Sequence, residues 1–149
     1  MLALTMPDYV GHPVIRGLAA GDTIGGPTAI ASVLASCVLE AGRFNPELTA
    51  DRYLDWWCDD GFDTGPVFAV VMRARIKGAT TDHAVRLAHK ALGGQTAGCN
   101  PAHRAPALAV TLNADVQELV EAAKADAALT HYDPLASDVA AAVAVLCRA

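Results

Sequence analysis

Residues 28–42 read TAIASVLASCVLEAG, and the pattern of this stretch indicates an α-helix. Thr28 is a residue type that caps the start of a helix, and Gly42 is one that ends it. Alanine, the best helix former, and other apolar residues fill the interval. The same helical periodicity continues through nearly all of the chain, and no strand-like alternation of any length appears. The sequence therefore predicts an all-α fold of about eight helices.

Proline, glycine and capping residues mark the other helix boundaries. Pro13 suits the first turn of a helix that breaks at the glycines of GDTIGG, residues 21–26. Three polar or glycine-rich segments are typical of loops: CDDGFDTGP at 58–66, GGQTAGCNP at 93–101 and THYDP at 130–134. The predicted helices begin near residues 13, 29, 46, 66, 81, 103, 115 and 135.

The length, composition and charge of the chain exclude several classes of protein. The 149 residues predict one domain over residues 1–149, and 53% hydrophobic against 18% charged residues excludes a disordered chain. The net charge of −5 argues against nucleic acid or an anionic membrane as the main partner, because both need a basic patch. No apolar run is long enough to span a bilayer and no basic leader is visible, so we expect a cytoplasmic protein. We expect its ligand to be a small molecule.

The four cysteines, Cys37, Cys58, Cys99 and Cys147, form no C-x-x-C pair, which argues against a zinc site. Three of them lie in apolar helical segments, where a buried free thiol is the ordinary case. The last predicted helix, residues 135–147, is apolar over much of its surface and needs cover on more than one side. It lies either in the centre of the domain or against another chain, so we expect a homo-oligomer.

Two loops carry candidate carboxylates. Asp22 follows a helical run and precedes glycines, so it either faces a cleft or caps a helix through local amides. Asp59, Asp60 and Asp63 place three carboxylates within five positions, a density that raises a pKa or binds a cation. For Asp63 the alternative is a cap for the helix near Pro66, and for the other two it is a solvated loop.

A third loop, from Gly98 to Arg104, runs into a helix and offers backbone N–H groups to an anion. Arg104 adds a guanidinium suited to phosphate or carboxylate. His103 is either an acid or base near neutral pH or a cap or surface group. His131 either joins this site or is a turn residue. Cys99 with either histidine would form a nucleophile–base pair if the fold brings them together.

Five segments, taken in chain order, match the pattern of one known family. GHPVIRGLAAGDTIGG contains its Gly-Asp-x-x-Gly signature, VLEAGRFNPELTADRYLDWW resembles the helix pair that follows, and FDTGPVFAVVMRARIKGA resembles the segment beginning Asp-Ile-Gly-x-Thr-Thr. GCNPAHRAPALA resembles the loop usually written Gly-Asn-Gly-x-x-Met-Arg, and THYDPLASDVAAAVAVL resembles the Thr-His-x-x-Pro helix. The family that these segments resemble is that of the ADP-ribosylglycohydrolases.

The resemblance implies an all-α fold that cleaves the bond from ADP-ribose to an acceptor, with two Mg²⁺ ions in a cleft. Asp63 matches the family aspartate that takes part in acid/base work near the scissile ribose. Gly98, Arg104 and His131 match ligand-loop and cleft positions.

The chain departs from the family pattern at several of these positions. Cys99 and Asn100 stand where Asn and Gly are usual, and His103 stands where Met is usual. The Thr-Asp-Asp-Thr run of metal ligands corresponds to Gly-Gly-Pro-Thr at residues 25–28, where only Thr28 remains. The family's other metal cluster belongs to a C-terminal half that this sequence does not include. Because Mg²⁺ prefers carboxylates and water, we expect no bound metal and no other cofactor.

Together these features predict a divergent, metal-independent ADP-ribosylglycohydrolase-like enzyme acting on a ribosyl, nucleotide-like or other small polar substrate. We expect Asp63 as general acid/base and Asp22 as second carboxylate, since two carboxylates commonly flank a glycosidic bond. His103 is the third catalytic candidate. The alternatives are an inactive ADP-ribose-binding or regulatory protein and an enzyme repurposed for isomerisation or cyclisation. The expected ligand-binding residues are Gly98, Cys99, Asn100, Arg104 and His131.

Overall fold

All regular structure is helical in the part of the chain that the computed structural model describes, residues 4–149. Nine helices and no strand occur there, which confirms the all-α prediction. None of these helices is long and apolar enough to cross a membrane. Their bounds are α1 Met6–Gly11, α2 Pro13–Gly21, α3 Gly26–Ala41, α4 Pro46–Asp60, α5 Gly65–Ile76, α6 Thr81–Ala91, α7 Asn100–Thr111, α8 Val116–Ala128 and α9 Pro134–Arg148.

The helix that the sequence analysis missed is α1, and it begins with a capping box. The Thr5 amide donates to the Asp8 carboxylate at 3.0 Å, and the Asp8 amide donates back to the Thr5 hydroxyl at 3.5 Å. Three predicted boundaries also differ. Helix α3 begins at Gly26, three residues before the predicted start, α4 continues to Asp60, and α7 begins at Asn100, one turn before His103.

Helix α7 forms the centre of the molecule and packs against α2, α3, α8 and α9. Its buried residues include Ala105, Ala107 and Ala109, whose small side chains let the neighbouring helices approach closely. The end of α9 also secures the end of α7. The Arg148 guanidinium donates to the carbonyl oxygens of Ala109 at 2.6 Å, Leu112 at 2.7 Å and Ala114 at 2.9 Å. These include carbonyls that a helix end leaves without a partner.

Helix α9 does not occupy the centre, so that alternative for the last helix is wrong. It lies against α7 and α8 through a face made of four alanines. Its outer face exposes Leu135, Val139 and Leu146 at 58%, 43% and 76% of their surface. Cover of this face by a second copy of the chain stays a prediction.

All four cysteines are free, but their environments differ from one another. Cys37 is buried, as the apolar sequence context predicts. Cys58 and Cys99 are exposed and Cys147 is half-buried, so the expectation of burial fails outside α3.

Candidate ligand-binding cleft

Three adjoining cavities form one cleft across the starts of α3, α5 and α7. The first holds about 340 Å³, and we call it the carboxylate pocket; its walls include Asp22, Asp63 and His103. The second holds about 600 Å³, and we call it the glycine-loop pocket; its walls include residues 64–67, Gly98, Cys99, Asn100 and His131. A narrow passage lined by Asp63, Thr64, Asn100 and His103 shares walls with both pockets.

The cleft brings together seven of the eight residues predicted from the sequence to form the site. The three catalytic candidates line the carboxylate pocket. Four of the five ligand-binding candidates line the glycine-loop pocket, and Arg104 is the exception.

Asp22 caps α3. Its Oδ1 accepts from the Gly25 amide at 2.7 Å, and its Oδ2 accepts from the Thr28 amide at 2.8 Å and the Thr28 hydroxyl at 2.7 Å. Burial would raise the pKa of the Asp22 carboxyl, but these hydrogen bonds outweigh burial and hold the pKa below its ordinary value. Asp22 therefore takes the capping alternative, and the predicted cap by Thr28 is wrong because α3 already begins at Gly26.

Asp63 leaves its carboxylate open to the carboxylate pocket. The side chain is exposed, and the start of α5 has no side-chain cap, so the capping alternative for Asp63 is wrong. The backbone holds Asp63 in the left-handed region at φ 50°. A Cβ on Gly26 would lie only 2.6 Å from the Asp63 Cβ, so glycine is required where α3 meets this loop. Asp59 and Asp60 are exposed at the end of α4 and take no part in the cleft.

His103 lies in the first turn of α7 and shares the wall of the carboxylate pocket with Asp63. Its Nδ1 is buried and has no hydrogen-bond partner within residues 4–149. An unpaired buried nitrogen costs free energy until something bonds to it. A ligand in this pocket would therefore meet the free Asp63 carboxylate and the half-buried His103 ring, although Nδ1 itself has no exposed surface.

The glycine-loop pocket lies where two helices begin. Neither α5, after Thr64, nor α7, after Cys99, has a side-chain cap, so their first backbone N–H groups have no side-chain acceptor. The Asn100 side-chain amide donates to the Thr64 carbonyl and ties the two helix starts together. Two positive dipole ends in one pocket favour a negatively charged ligand group.

Cys99 and His131 line the same pocket but do not form a nucleophile–base pair. Among the described residues, the only hydrogen-bond partner of the His131 ring is the neighbouring Thr130 hydroxyl, at Nδ1. His103, the other candidate base, faces the carboxylate pocket. Cys99 is exposed at the rim as the residue that precedes α7.

His131 is buried in the wall of the glycine-loop pocket, with 2% of its surface exposed. Burial, aided by the positive charge of Arg104, lowers the pKa of His131 to about 3. The ring is therefore neutral at physiological pH. A Cβ on Gly98 would lie 3.0 Å from the Nε2 of His131, so Gly98 keeps this nitrogen open to the pocket.

Arg104 does not reach the cleft, which corrects its predicted role as an anion ligand. The guanidinium is fully buried and pairs with Asp126 on α8 at 2.7 Å. Asp126 also accepts from the Tyr53 hydroxyl at 2.7 Å, and the guanidinium lies over the Tyr53 ring, 4.9 Å from its centroid. The remaining Nη2 bonds reach the Asp126 carbonyl at 2.9 Å and the Thr130 hydroxyl at 3.0 Å. A side chain with no exposed surface cannot meet a ligand directly.

The side chains in the cleft do not fit the two-Mg²⁺ centre that the family resemblance implies. Both oxygens of Asp22 are occupied by N–H and O–H donors, and the Thr28 hydroxyl is one of those donors. Residues 25–27, before Thr28, offer no carboxylate. Among residues 4–149, no three histidine, cysteine, aspartate or glutamate side chains converge as metal ligands. A dinuclear magnesium site needs several such carboxylates.

Another surface groove, of about 670 Å³, lies between α5 and α6 and is slightly larger than either pocket. Its walls are mostly apolar, with Arg73, Lys77 and His83 as its ionisable groups. It contains none of the predicted site residues, so we place the site in the cleft.

Sequence reasoning missed Gly26, Asp126 and Thr130. Asp126 carried a signal, because it continues the spacing of Leu119, Ala122 and Ala123 on the buried face of α8. A carboxylate at a core position implies a buried partner. The close approach of Gly26 to Asp63 depends on tertiary structure and has no local signature.

A protein-family model described as ADP-ribosylglycohydrolase matches residues 27–149 of the chain. The match covers the start of α3, the Asp63 loop, the glycine loop and His131. No curated protein and no solved structure matches the chain.

Proposed function

Because the chain belongs to the ADP-ribosylglycohydrolase family, we propose that its cleft binds an ADP-ribosyl compound and cleaves the glycosidic bond without a metal ion. The observation that carries this proposal is the junction of the two pockets. The free Asp63 carboxylate and the His103 ring lie at one end of the cleft, and two uncapped helix starts lie at the other.

The phosphates of the ligand occupy the glycine-loop pocket in this proposal. The N–H groups at the starts of α5 and α7 donate to the phosphate oxygens, and the neutral His131 ring adds a polar contact. Asp133, on the same wall, caps α9 by accepting from the Leu135 amide at 2.9 Å. Its carboxylate offers an acceptor for a sugar hydroxyl.

The scissile ribose occupies the carboxylate pocket. Water attacks the anomeric carbon as the bond from that carbon to the acceptor breaks. Asp63 accepts the proton of the water, and His103 delivers a proton to the leaving group. Because both oxygens of Asp22 already cap α3, His103 replaces Asp22 as the partner of Asp63.

Turnover of ADP-ribosyl-arginine in EDTA tests this proposal. We expect hydrolysis by the wild type, and a kcat about a hundredfold lower for Asp63→Asn, since acid–base groups contribute about 10²–10⁴-fold. Asp59→Asn, a change of the same kind on the exposed end of α4, serves as the control and should leave kcat unchanged. Hydrolysis only after addition of Mg²⁺, or equal kcat for wild type and Asp63→Asn, would contradict the proposal.

A non-catalytic ADP-ribose-binding protein is the second candidate, and the state of Asp22 favours it. With Asp22 committed to α3, Asp63 is the one carboxylate in the carboxylate pocket without a hydrogen bond among the described residues. Binding of ADP-ribose without turnover by the wild type would support this candidate over the enzyme.

A further inference from the structure

A chain of buried polar groups connects the core to the one ring nitrogen that faces the glycine-loop pocket. The Arg104 guanidinium, held by Asp126, donates from Nη2 to the Thr130 hydroxyl at 3.0 Å. The Thr130 Oγ1 lies 2.8 Å from the Nδ1 of His131. The Nε2 of His131 has no hydrogen-bond partner in residues 4–149 and points towards Gly98. Whether Nε2 carries a proton therefore depends on the buried groups that contact Nδ1 on the other side of the ring.

The distances around the Thr130 hydroxyl decide where its proton goes. Besides the Nδ1 of His131 at 2.8 Å, the only other acceptor in reach among residues 4–149 is the Ala127 carbonyl, at the limiting distance of 3.5 Å. The charge of Arg104 polarises the hydroxyl that it contacts, which makes the hydroxyl a better donor. Thr130 therefore donates to Nδ1, and Nδ1 is an acceptor without a proton. In a neutral imidazole the proton then lies on Nε2.

We propose that Arg104 and Thr130 are positioning residues that hold His131 in the Nε2–H tautomer, so that the glycine-loop pocket presents a neutral N–H donor to an acceptor oxygen of its ligand. This inference deepens the proposed function and rests on it for the identity of the ligand. It also explains why an arginine that matches a ligand-loop position of the family lies wholly in the core.

The charged groups around His131 favour a neutral ring, so that its Nε2 stays a hydrogen-bond donor across the physiological pH range. Arg104 faces it from α7 with Asp126 behind, and Asp133 and Cys99 share the pocket. Burial and then the Arg104 charge lower the pKa of His131 to about 3, so the ring stays neutral. Nε2 then takes acceptors such as a phosphate oxygen and does not take N–H or O–H groups as donors.

Long-range ¹⁵N–¹H NMR of the histidine rings tests the inference directly. We expect the wild type and Thr130→Ser to show protonated Nε2 and bare Nδ1 at His131. In Thr130→Val, which keeps the side-chain shape but loses the hydroxyl, we expect a mixture of tautomers. His89 is the internal control, because its Nδ1 lies 2.7 Å from the Thr96 hydroxyl and should not change in any of these proteins.

Calorimetry with ADP-ribose links the tautomer to binding. We expect the affinity of Thr130→Val to fall in proportion to the fraction of His131 rings that leave the Nε2–H tautomer, about twofold for an equal mixture, and that of Thr130→Ser to stay at the wild-type value. The inference would be overturned if Nδ1 of wild-type His131 carries the proton. It would also be overturned if Thr130→Val and Thr130→Ser give the same His131 spectrum. The wild-type spectrum decides the tautomer even if Thr130→Val does not fold. If the wild type binds no ADP-ribose, the proposed function fails, and the spectrum still decides the tautomer.

Discussion

Replacing Asp126 with asparagine is expected to lower the free energy of unfolding by about 3–5 kcal/mol. Asparagine keeps the shape but removes the charge that balances Arg104, and both side chains of this pair are essentially without exposed surface. An uncompensated guanidinium in the core costs much more than the loss of one hydrogen bond. Tyr53 also loses its charged acceptor at 2.7 Å. Urea unfolding at neutral pH, followed by circular dichroism, measures this loss.

Asp82→Asn is the matched control for this prediction. Asp82 pairs with Arg86 at 3.0 Å on the surface of α6, with more than half of each side chain exposed. A surface pair of this kind contributes about 0–1 kcal/mol. The double variant Arg104→Met with Asp126→Leu should recover much of the stability, because it leaves no buried charge unpaired. Equal losses for Asp126→Asn and Asp82→Asn would show that the buried pair does not organise the core.

Acidification is expected to destabilise the wild type through His131. In the folded state the pKa of His131 is lowered by burial, and further by Arg104, to about 3, against about 6.5 in the unfolded chain. Between these values the unfolded chain binds one more proton, so stability is fully present above pH 6.5 and falls as the pH drops towards 3. The loss is about 1.4 kcal/mol per pH unit, or about 3 kcal/mol between pH 6.5 and about pH 4.5.

His131→Asn should remove this pH dependence, although it lowers stability at pH 7 by disturbing a buried position. The comparison is made between the slopes of stability against pH. His83→Gln, a change on the exposed side of α6, is the control and should keep the wild-type slope. Carboxylates such as Asp22, whose pKa is lowered in the fold, change the stability only at lower pH. They therefore do not affect the slope between pH 6.5 and about pH 4.5. A His131→Asn slope equal to that of the wild type between pH 6.5 and about pH 4.5 would show that His131 is not buried in its neutral form.

The helical fold was predictable because its signals are local. The caps Asn45 and Asp115 lie directly before the helices that they start, and Gly42 ends α3 as predicted. The predicted boundaries were wrong at the starts of α3 and α7 and at the end of α4, where loops and helices share residue types. The missed α1 had a capping box, but it is a single short helix of six residues.

The sequence predicts which loops form the cleft. It does not predict which side chains in those loops face a ligand and which only stabilise the fold. Asp22 and Asp63 have similar local sequences, yet one carboxylate caps a helix and the other is free. That difference is not set by distance along the chain, because α5 begins two residues after Asp63 and α3 begins four residues after Asp22. The burial of Arg104 is likewise not visible in the local sequence, because its partner Asp126 lies 22 residues away on another helix. Local sequence identifies residue types that do chemistry, whereas tertiary contacts decide which of them face a ligand.

Titration of ADP-ribose and of adenosine into the wild-type protein in EDTA tests whether the glycine-loop pocket binds phosphates. We expect one ADP-ribose per chain, bound at least about tenfold more tightly than adenosine. The difference arises because only ADP-ribose brings phosphates to the starts of α5 and α7 and to the Nε2 of His131. No binding of ADP-ribose, or equal affinity for the two compounds, would contradict the assignment of the glycine-loop pocket as the phosphate site.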